Sequence, residues 1–364
     1  MLVIRPIEQK DFAGLKTCAI ESGTGMTSLP VNDELLQRKI DASTQTFSDK
    51  PAGKGDCLYF FVAEDLETGE MVGTCAIDAA VGLSQPFYNY HIGKVVHSSP
   101  KLGIYNVVET LTLSNDYTGN SELCTLFLRE CAREGLNGRL LSKHRFLFMA
   151  EHPELFDETV FAEMRGVSDA NGHSPFYEWL QTHFFSMDFP TVDYLTGIGK
   201  KRFIAELMPK YPIYVNLLSK EARAVIGQTH EKTRPAIKML QDEGFVNRGY
   251  VDIFDAGPTV ECDVKNIRSV RRSKKLRVLV GEPIGGKTHL ICNSRFEHYR
   301  ACYGNIRVDL DKHEAIIPPK MAAHSRCRMA TWCGWSTSTE TNRTSKPIIR
   351  QAAEAACQRQ GVNG

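Results

Sequence analysis

The chain has 364 residues, enough for two or three domains and a sizeable core, and its 44 Lys+Arg against 43 Asp+Glu leave a net charge of +1. A charge so close to zero argues against a general nucleic-acid binder, which needs a basic face. No apolar run approaches the length of a membrane span, Met1-Leu-Val-Ile-Arg-Pro6 enters a strand-like run with no signal peptide, and the 11 cysteines form no CxxC pair. The expectation is a cytoplasmic protein with reduced thiols, no metal, and neither a nucleic-acid nor a membrane partner.

Val3 to Ile7 reads as a first strand, and Asp11 as the N-cap of a helix from Phe12 to Ile20. Tyr59 to Glu64 and Met71 to Ile77, joined by Asp65-Leu-Glu-Thr-Gly69-Glu70, read as a hairpin. Val95-Val96 and Val107 to Leu113 are expected to continue the same sheet. Leu123 to Leu128 is a continuous apolar run, the pattern of a buried core strand. The turn Arg133-Glu-Gly135-Leu-Asn-Gly138 follows. From Arg139, apolar residues at 140, 141, 146, 147 and 149 make a helical stripe. Strand, glycine turn and helix start together can seat a phosphate. The first N–H groups of a helix are unpaired, its dipole favours an anion, and glycine lets the backbone come close. Taken alone, the same pattern fits an ordinary strand–loop–helix.

Further on, Phe161 to Gly166 reads as a strand, and Ser174-Pro175 opens a helix by N-cap and first-turn proline. Phe184-Phe185 and Ile204 to Leu207 read as short strands, and Ser219 to Ile226 as a helix. Another helix starts at Thr233-Arg-Pro235 and ends at Gly244. Tyr250 to Phe254 and Val260 to Val264 read as strands. After about Lys265, short strands and basic turns suggest a small β unit.

Gly281-Glu-Pro-Ile-Gly-Gly286-Lys287-Thr288 fits a P-loop, which would put Lys287 on phosphates and Thr288 on Mg²⁺. The motif should open a helix, yet His289-Leu-Ile-Cys292 reads as strand, so a nucleotide-binding protein is kept only as an alternative. From His324 the chain is polar and aperiodic, and poor order is expected. A shifted reading frame over Arg328 to Trp335 can encode Asp-Gly-Asp-Met-Val-Arg-Val, a turn and an alternating strand, so a frameshifted tail is one reading of residues 324–364.

The order strand, helix, hairpin, core strand, glycine turn, helix is similar to the GNAT superfamily of N-acyltransferases. In that superfamily an Arg/Gln-x-x-Gly-x-Gly/Ala turn holds the pyrophosphate of an acyl-CoA. Arg133 and Gly138 fit its spacing, Leu136 stands at its middle glycine, and Gly135 is one place early. A second signature, a helix ending in Gly-Phe, matches Arg234 to Phe245, with Leu240 where many members carry a tyrosine acid. At a finer level the chain resembles the arginine N-succinyltransferase family over roughly Met1 to Ala323. The resemblance rests on long runs, among them Ser121-Glu-Leu-Cys-Thr-Leu-Phe-Leu128, Ala162-Glu-Met-Arg-Gly-Val167, Ile204-Ala-Glu-Leu-Met-Pro209, Val225-Ile-Gly-Gln-Thr-His230 and Asp252-Ile-Phe-Asp255.

This resemblance implies an α/β (α+β) fold with a mixed, mostly antiparallel sheet flanked by helices and a small C-terminal β unit. It divides the chain into an acyl-CoA-binding part (1–190), a second α/β part carrying the catalytic histidine (191–264), the β unit (265–323) and the tail. It implies succinyl-CoA as co-substrate rather than a permanently bound cofactor, and L-arginine as acceptor. N2-succinyl-L-arginine and CoA are the implied products, and a homo- or hetero-oligomer is left open. By matched position, His230 is the proton donor and Leu126 the succinyl-CoA contact. Arg133, Gly135, Gly138 and Arg139 fall at the pyrophosphate turn.

Charge logic adds candidates. An anionic succinyl end calls for a cation, for which Arg165, Lys143 and Arg145 are available. A guanidinium calls for planar carboxylates, for which Asp116, Glu122 and Asp255 are available. Cys124 and Cys131 flank the region, but a thiol inside an apolar strand is usually inert, so covalent catalysis is rejected. A non-catalytic acyl-CoA-binding regulator is a further alternative.

Overall fold

The structure, a computed structural model, describes residues 1–23, 25–169, 172–325 and 329–333. Strand β1 (Leu2–Pro6) leads into α1 (Phe12–Ser22) and α2 (Asp33–Ser48). A hairpin of β2 (Leu58–Asp65) and β3 (Met71–Asp78) follows, then a longer one of β4 (Asn89–Ser99) and β5 (Ile104–Ser114). Next come β6 (Ser121–Leu128), α3 (Asn137–Glu151) and β7 (Thr159–Glu163). A helical stretch holds α4 (Pro175–His183), α5 (Phe189–Gly197), α6 (Arg202–Leu207), β8 (Ile213–Tyr214), α7 (Lys220–Val225) and α8 (Arg234–Glu243). After β9 (Tyr250–Val251), β10 (Thr259–Asp263) and α9 (Arg268–Arg272) come β11 (Ser273–Val280), β12 (Lys287–Asn293), β13 (Ala301–Asp309) and β14 (Glu314–Ile317). The described chain closes with α10 (Pro319–Ser325) and β15 (Met329–Cys333).

Eleven strands form one sheet in the order β10-β7-β6-β3-β2-β1-β13-β12-β15-β11-β14. Its pairings are antiparallel except β6–β7 and β11–β14, the mixed, mostly antiparallel sheet expected. Alternating residues of β2 and β3 send side chains to opposite faces. Tyr59, Phe61, Cys75 and Ile77 meet Leu140, Leu141, Phe146 and Phe148 around α3. Phe60, Val62 and Ala76 share the other cluster with Leu15 of α1 and Leu36 and Ile40 of α2. The sheet therefore lies between two helical layers, with α3 on one face and α1 and α2 on the other.

Several expectations need correction. Val95-Val96 and Val107 to Leu113 do lie in strands, but β4 and β5 belong to a separate sheet, ordered β8-β5-β4-β9. Only the base of this hairpin is buried: Tyr90 and Leu111 join Phe176, Tyr177 and Leu180 of α4 in a core of their own, while Val96 and Val107 are exposed. Ile204 to Leu207 is the end of a helix, because Ile204 alone turns inward. Phe184-Phe185 closes α4 rather than forming a strand. Helix α2 has no counterpart among the expected elements, although Asn32 caps it through Leu35 N and Leu36, Ile40 and Phe47 make its inner stripe. Asp11 precedes α1, but its carboxylate does not cap that helix. It accepts Nη1 and Nη2 of Arg5 at 2.6 and 2.8 Å and the Glu8 N–H at 2.8 Å.

Of the expected tail, residues 324–325 lie in α10 and 329–333 in β15, which pairs with β11 and β12. The rest lies outside the described residues. The segment from Gly281 to Gly286 joins strand to strand, since β12 and not a helix follows. The helix N-terminus that a P-loop needs is not there.

Candidate functional site

The site starts from an irregularity in β6. Against β3, Ala76 faces Cys124 and Thr74 faces Phe127, so Thr125 and Leu126 together oppose Cys75 in a bulge. Thr125 takes φ 55°, a left-handed conformation that a β-branched residue rarely adopts, and its buried hydroxyl has no partner. The ladder is thereby interrupted beside Leu126. On its other edge β6 pairs with β7 only at Ser121 and Glu122, so the two strands part beyond Glu122. The free edge of β6 opens into a cleft of about 1420 Å³ that runs from the start of α3 to the ends of β6 and β7. Such an edge offers backbone N–H and C=O groups to an extended ligand, as strand addition does.

At one end of the cleft lie Arg133, Gly135, Gly138 and Arg139. Helix α3 begins at Asn137, two residues earlier than expected, so Gly138 sits in its first turn, where no side chain caps the amides. A Cβ at Gly138 would meet no protein atom within 4 Å; substitution there could crowd only something bound above the turn. Gly135 has φ 51°, which explains a glycine at that place. Arg133 is less available than expected: its Nε donates to Leu128 O at 2.8 Å, and its guanidinium lies 5.6 Å from the centroid of the Phe127 ring.

The other end is rich in carboxylates. Glu122 lines it, and burial, then nearby Asp78, pushes its pKa up to about 7, against the opposing pull of Lys201 and Lys39. Glu163 is held well above the usual carboxylate range by burial, then by Asp252 and Glu122, while Asn89 Nδ2 donates to it at 2.6 Å. Asp193 is raised by burial and accepts the Thr27 hydroxyl and the Gly25 N–H. Arg165 supplies a cation beside them. Its Nη2 donates to Ser168 Oγ at 3.0 Å, but its buried Nε has no partner.

Two expected carboxylates have other occupations. Asp255 lines the cleft, but its Oδ2 accepts the Gly166 N–H at 2.7 Å and its Oδ1 the Gly257 N–H at 2.8 Å. It pins the end of β7 to the turn before β10. A Cβ on Gly166 would come within 2.4 Å of Asp255 O, so the contact depends on that glycine. Asp116 lies outside the cleft wall, where it accepts the Tyr250 hydroxyl at 2.7 Å.

His230 stands just behind the wall, which at this point is made by Lys232 and Thr233. Its N–H donates to Arg165 O at 2.9 Å, and its Nδ1 accepts the Lys232 N–H at 3.1 Å. That bond fixes the neutral tautomer with the proton on Nε2. Burial, then the charges of Arg165 and Lys232, lower its pKa, and a hydrogen bond to the Ser168 backbone works the other way. Burial pushes the Cys124 thiol up to about 12, which disfavours its thiolate.

Glu163, Asp193, Asp252 and Lys201 join the site without having been singled out. Glu163 and Asp252 fall inside runs that carry the family resemblance, so a signal existed for them. Asp193 and Lys201 come from the helical stretch, and nothing in their local sequence points to a cleft. Among the described residues, no group of three or more His, Cys, Asp or Glu could hold a metal ion. No helix among the described residues is long and apolar enough to cross a membrane.

Comparison with known proteins gives a consistent picture. A family profile described as arginine N-succinyltransferase beta subunit matches residues 2–269, and that of its C-terminal domain matches 274–324. The arginine N-succinyltransferase of Salmonella schwarzengrund is 49% identical over 330 residues, covering 90% of this chain and 95% of that protein. The protein of the same name from Salmonella paratyphi B is 48% identical over the same length. The solved structure of arginine/ornithine succinyltransferase subunit AI from Pseudomonas aeruginosa superposes with a TM-score of 0.84 at 33% identity, covering 92% of this chain and 98% of that one.

Proposed function

The chain belongs to the arginine N-succinyltransferase family, and we propose that it transfers the succinyl group of succinyl-CoA to the α-amino group of L-arginine by direct attack. The observation that carries the proposal is the bulge of β6 opening into the gap between β6 and β7. In our reading the pantetheine arm runs along that edge, with the thioester at Leu126 and the pyrophosphate over the first turn of α3, near Gly135, Gly138 and Arg139. Unpaired amides there would polarise the thioester carbonyl and hold the phosphates.

The acceptor enters from the carboxylate end. Its amine must lose a proton before it attacks, and its guanidinium needs anionic partners. Glu122, with a pKa near neutrality, suits proton uptake, and Glu163 and Asp193, whose pKa values burial raises, would be drawn into their charged forms by the incoming guanidinium. Arg165 can receive a carboxylate. His230 is the proton shuttle that serves the leaving thiolate. For this its Nδ1 must leave the Lys232 N–H and take up a proton released by the attacking amine; because its pKa is depressed, the imidazolium so formed readily passes a proton to the thiolate. The parts 1–190, 191–264 and 265–323 then act as the acyl-CoA-binding part, which also supplies Glu122, Glu163 and Arg165 to the acceptor, the part carrying His230, and a supporting β unit. We place the enzyme in the cytoplasm, as free thiols such as Cys18, Cys57 and Cys75 suit, with small-molecule substrates and no resident cofactor.

The test is CoA release from succinyl-CoA with arginine, ornithine and lysine in turn. Release that depends on arginine is expected. Absence of amine-dependent release with every acceptor would overturn the proposal and favour an acyl-CoA-binding regulator.

A further inference from the structure

Among the described residues, the Arg, Lys, Asp and Glu side chains that lie fully in the buried core are, with one exception, matched. Arg5 meets Asp11 and Glu64. Lys143 meets Glu243 at 2.7 Å, and Glu243 also accepts the Ser269 N–H. Asp255 is held by two backbone amides. The exception is Arg145, two residues along α3 from Lys143 and 1% exposed. Its Nε donates to Ser142 O at 3.1 Å, and its Nη atoms reach only Ala76 O at 3.4 Å and Ser142 Oγ at 3.5 Å. No carboxylate among the described residues pairs with it; the neighbours that favour its charge are the thiols of Cys75 and Cys124. An arginine kept out of water without an anion is costly, and a guanidinium does not escape the cost by losing its proton.

Arg145 is also part of the cleft wall. Its Ala76 contact places the guanidinium at the rung where Ala76 faces Cys124, adjacent to the bulge at Thr125 and Leu126. A strand rises about 3.3 Å per residue. The carbonyl and carboxyl carbons of an extended succinyl group are about 4 Å apart, three C–C bonds. A thioester carbonyl held at Leu126 therefore has its distal carboxylate within reach of this rung.

We propose that Arg145 receives the terminal carboxylate of the succinyl group and so selects a dicarboxylic acyl donor. Arg165, which lies against Gly25 and holds His230 through its backbone, is then left for the acceptor's carboxylate. This rests on the proposed reaction and adds donor specificity to it. The unpaired charge is a stability cost carried by the free enzyme and relieved by the correct donor.

The experiment compares succinyl-CoA with butyryl-CoA, a neutral donor of the same chain length, in the wild type, Arg145→Met, Arg145→Lys and Arg165→Met. Arg145→Met should lower kcat/KM for succinyl-CoA by on the order of a hundredfold, the scale for removing one partner of a buried charge pair. Butyryl-CoA should lose far less, and the melting temperature should hold or rise. Arg165→Met should raise KM for arginine and leave the donor ratio alone. A parallel fall with both donors in folded Arg145→Met, or loss of donor discrimination in Arg165→Met instead, overturns the assignment. Should Arg145→Met fail to fold, Arg145→Lys decides: KM should rise for succinyl-CoA alone, and an equal rise for both donors overturns it. Were the wild type to show no transfer, the proposed reaction would fail separately. The ratio of Kd values for the two acyl-CoAs, in wild type and Arg145→Met, would still decide the role of Arg145.

Discussion

Along β6 from Leu126 to the first turn of α3, the cleft is offered backbone amides, with basic side chains such as Arg139 beside them. Around Glu122, Glu163 and Asp193 it is offered carboxylates with raised pKa values, with Arg165 and Lys201 beside them. The amides are set by a bulge and a helix start, which do not titrate and tolerate side-chain change. The carboxylates depend on burial and on one another, so they respond to pH and to single substitutions. Donor binding and proton transfer should therefore be separable by mutation.

The largest effect expected concerns His230. His230→Ala should lower turnover by on the order of a hundredfold or more, the scale of lost acid–base catalysis, with little change in succinyl-CoA affinity. His230→Gln should fail similarly, since it hydrogen-bonds but does not exchange a proton near neutral pH. A histidine that only caps the turn at Lys232 would instead lower the melting temperature and leave turnover per folded molecule intact. Turnover, CoA affinity and melting temperature on both variants separate the two.

A comparable free energy, spent on folding rather than catalysis, is expected at Lys143. Lys143→Met leaves the buried Glu243 with only Arg268 at 3.8 Å and the Ser269 N–H, and urea unfolding should show a loss of about 3 kcal/mol. CoA affinity of the folded variant should be near normal. A variant as stable as wild type would mean that Glu243 is neutralised without its partner.

Gly138→Val comes next. Weakening of CoA binding by roughly tenfold is expected, from a Cβ that meets ligand and not protein and from the poorer helix start. Unchanged affinity would move the phosphates away from α3.

Glu122 gives a smaller effect that sharpens the contrast in pH. Turnover should rise with pH through about 7 as its carboxyl ionises, and Glu122→Gln should flatten that rise. The folded protein holds this proton to higher pH than the unfolded chain does. Stability from this group is thus complete at pH values below the unfolded pKa and falls as pH rises toward about 7. Glu122→Gln should remove that slope in a series of melting curves. CoA affinity should show neither dependence.

Which of these features could be read from sequence follows from their physical origin. Strand β6 announces itself as an apolar run, and α8 by its proline start and its glycine end, Gly244 at φ 110°. The bulge does not announce itself. Threonine is a good strand former, and nothing near Thr125 signals φ 55°. Val96 and Val107 look like core residues, yet they lie on the exposed part of the β4–β5 hairpin, because partner elements and not residue type decide burial. Asp255 looked free to meet a guanidinium, since its two amide donors come from Gly166, far off in the chain, and Gly257. The isolation of Arg145 is equally invisible until the partners of Arg5 and Lys143 are seen beside it.

The division of the cleft is tested most directly by amide hydrogen exchange with each substrate alone. Succinyl-CoA should slow exchange in residues 123–128 and 137–140 and leave residues 163–168 and 252–255 little changed. Arginine should do the reverse. Protection of residues 163–168 by succinyl-CoA, with none along β6, would contradict the account.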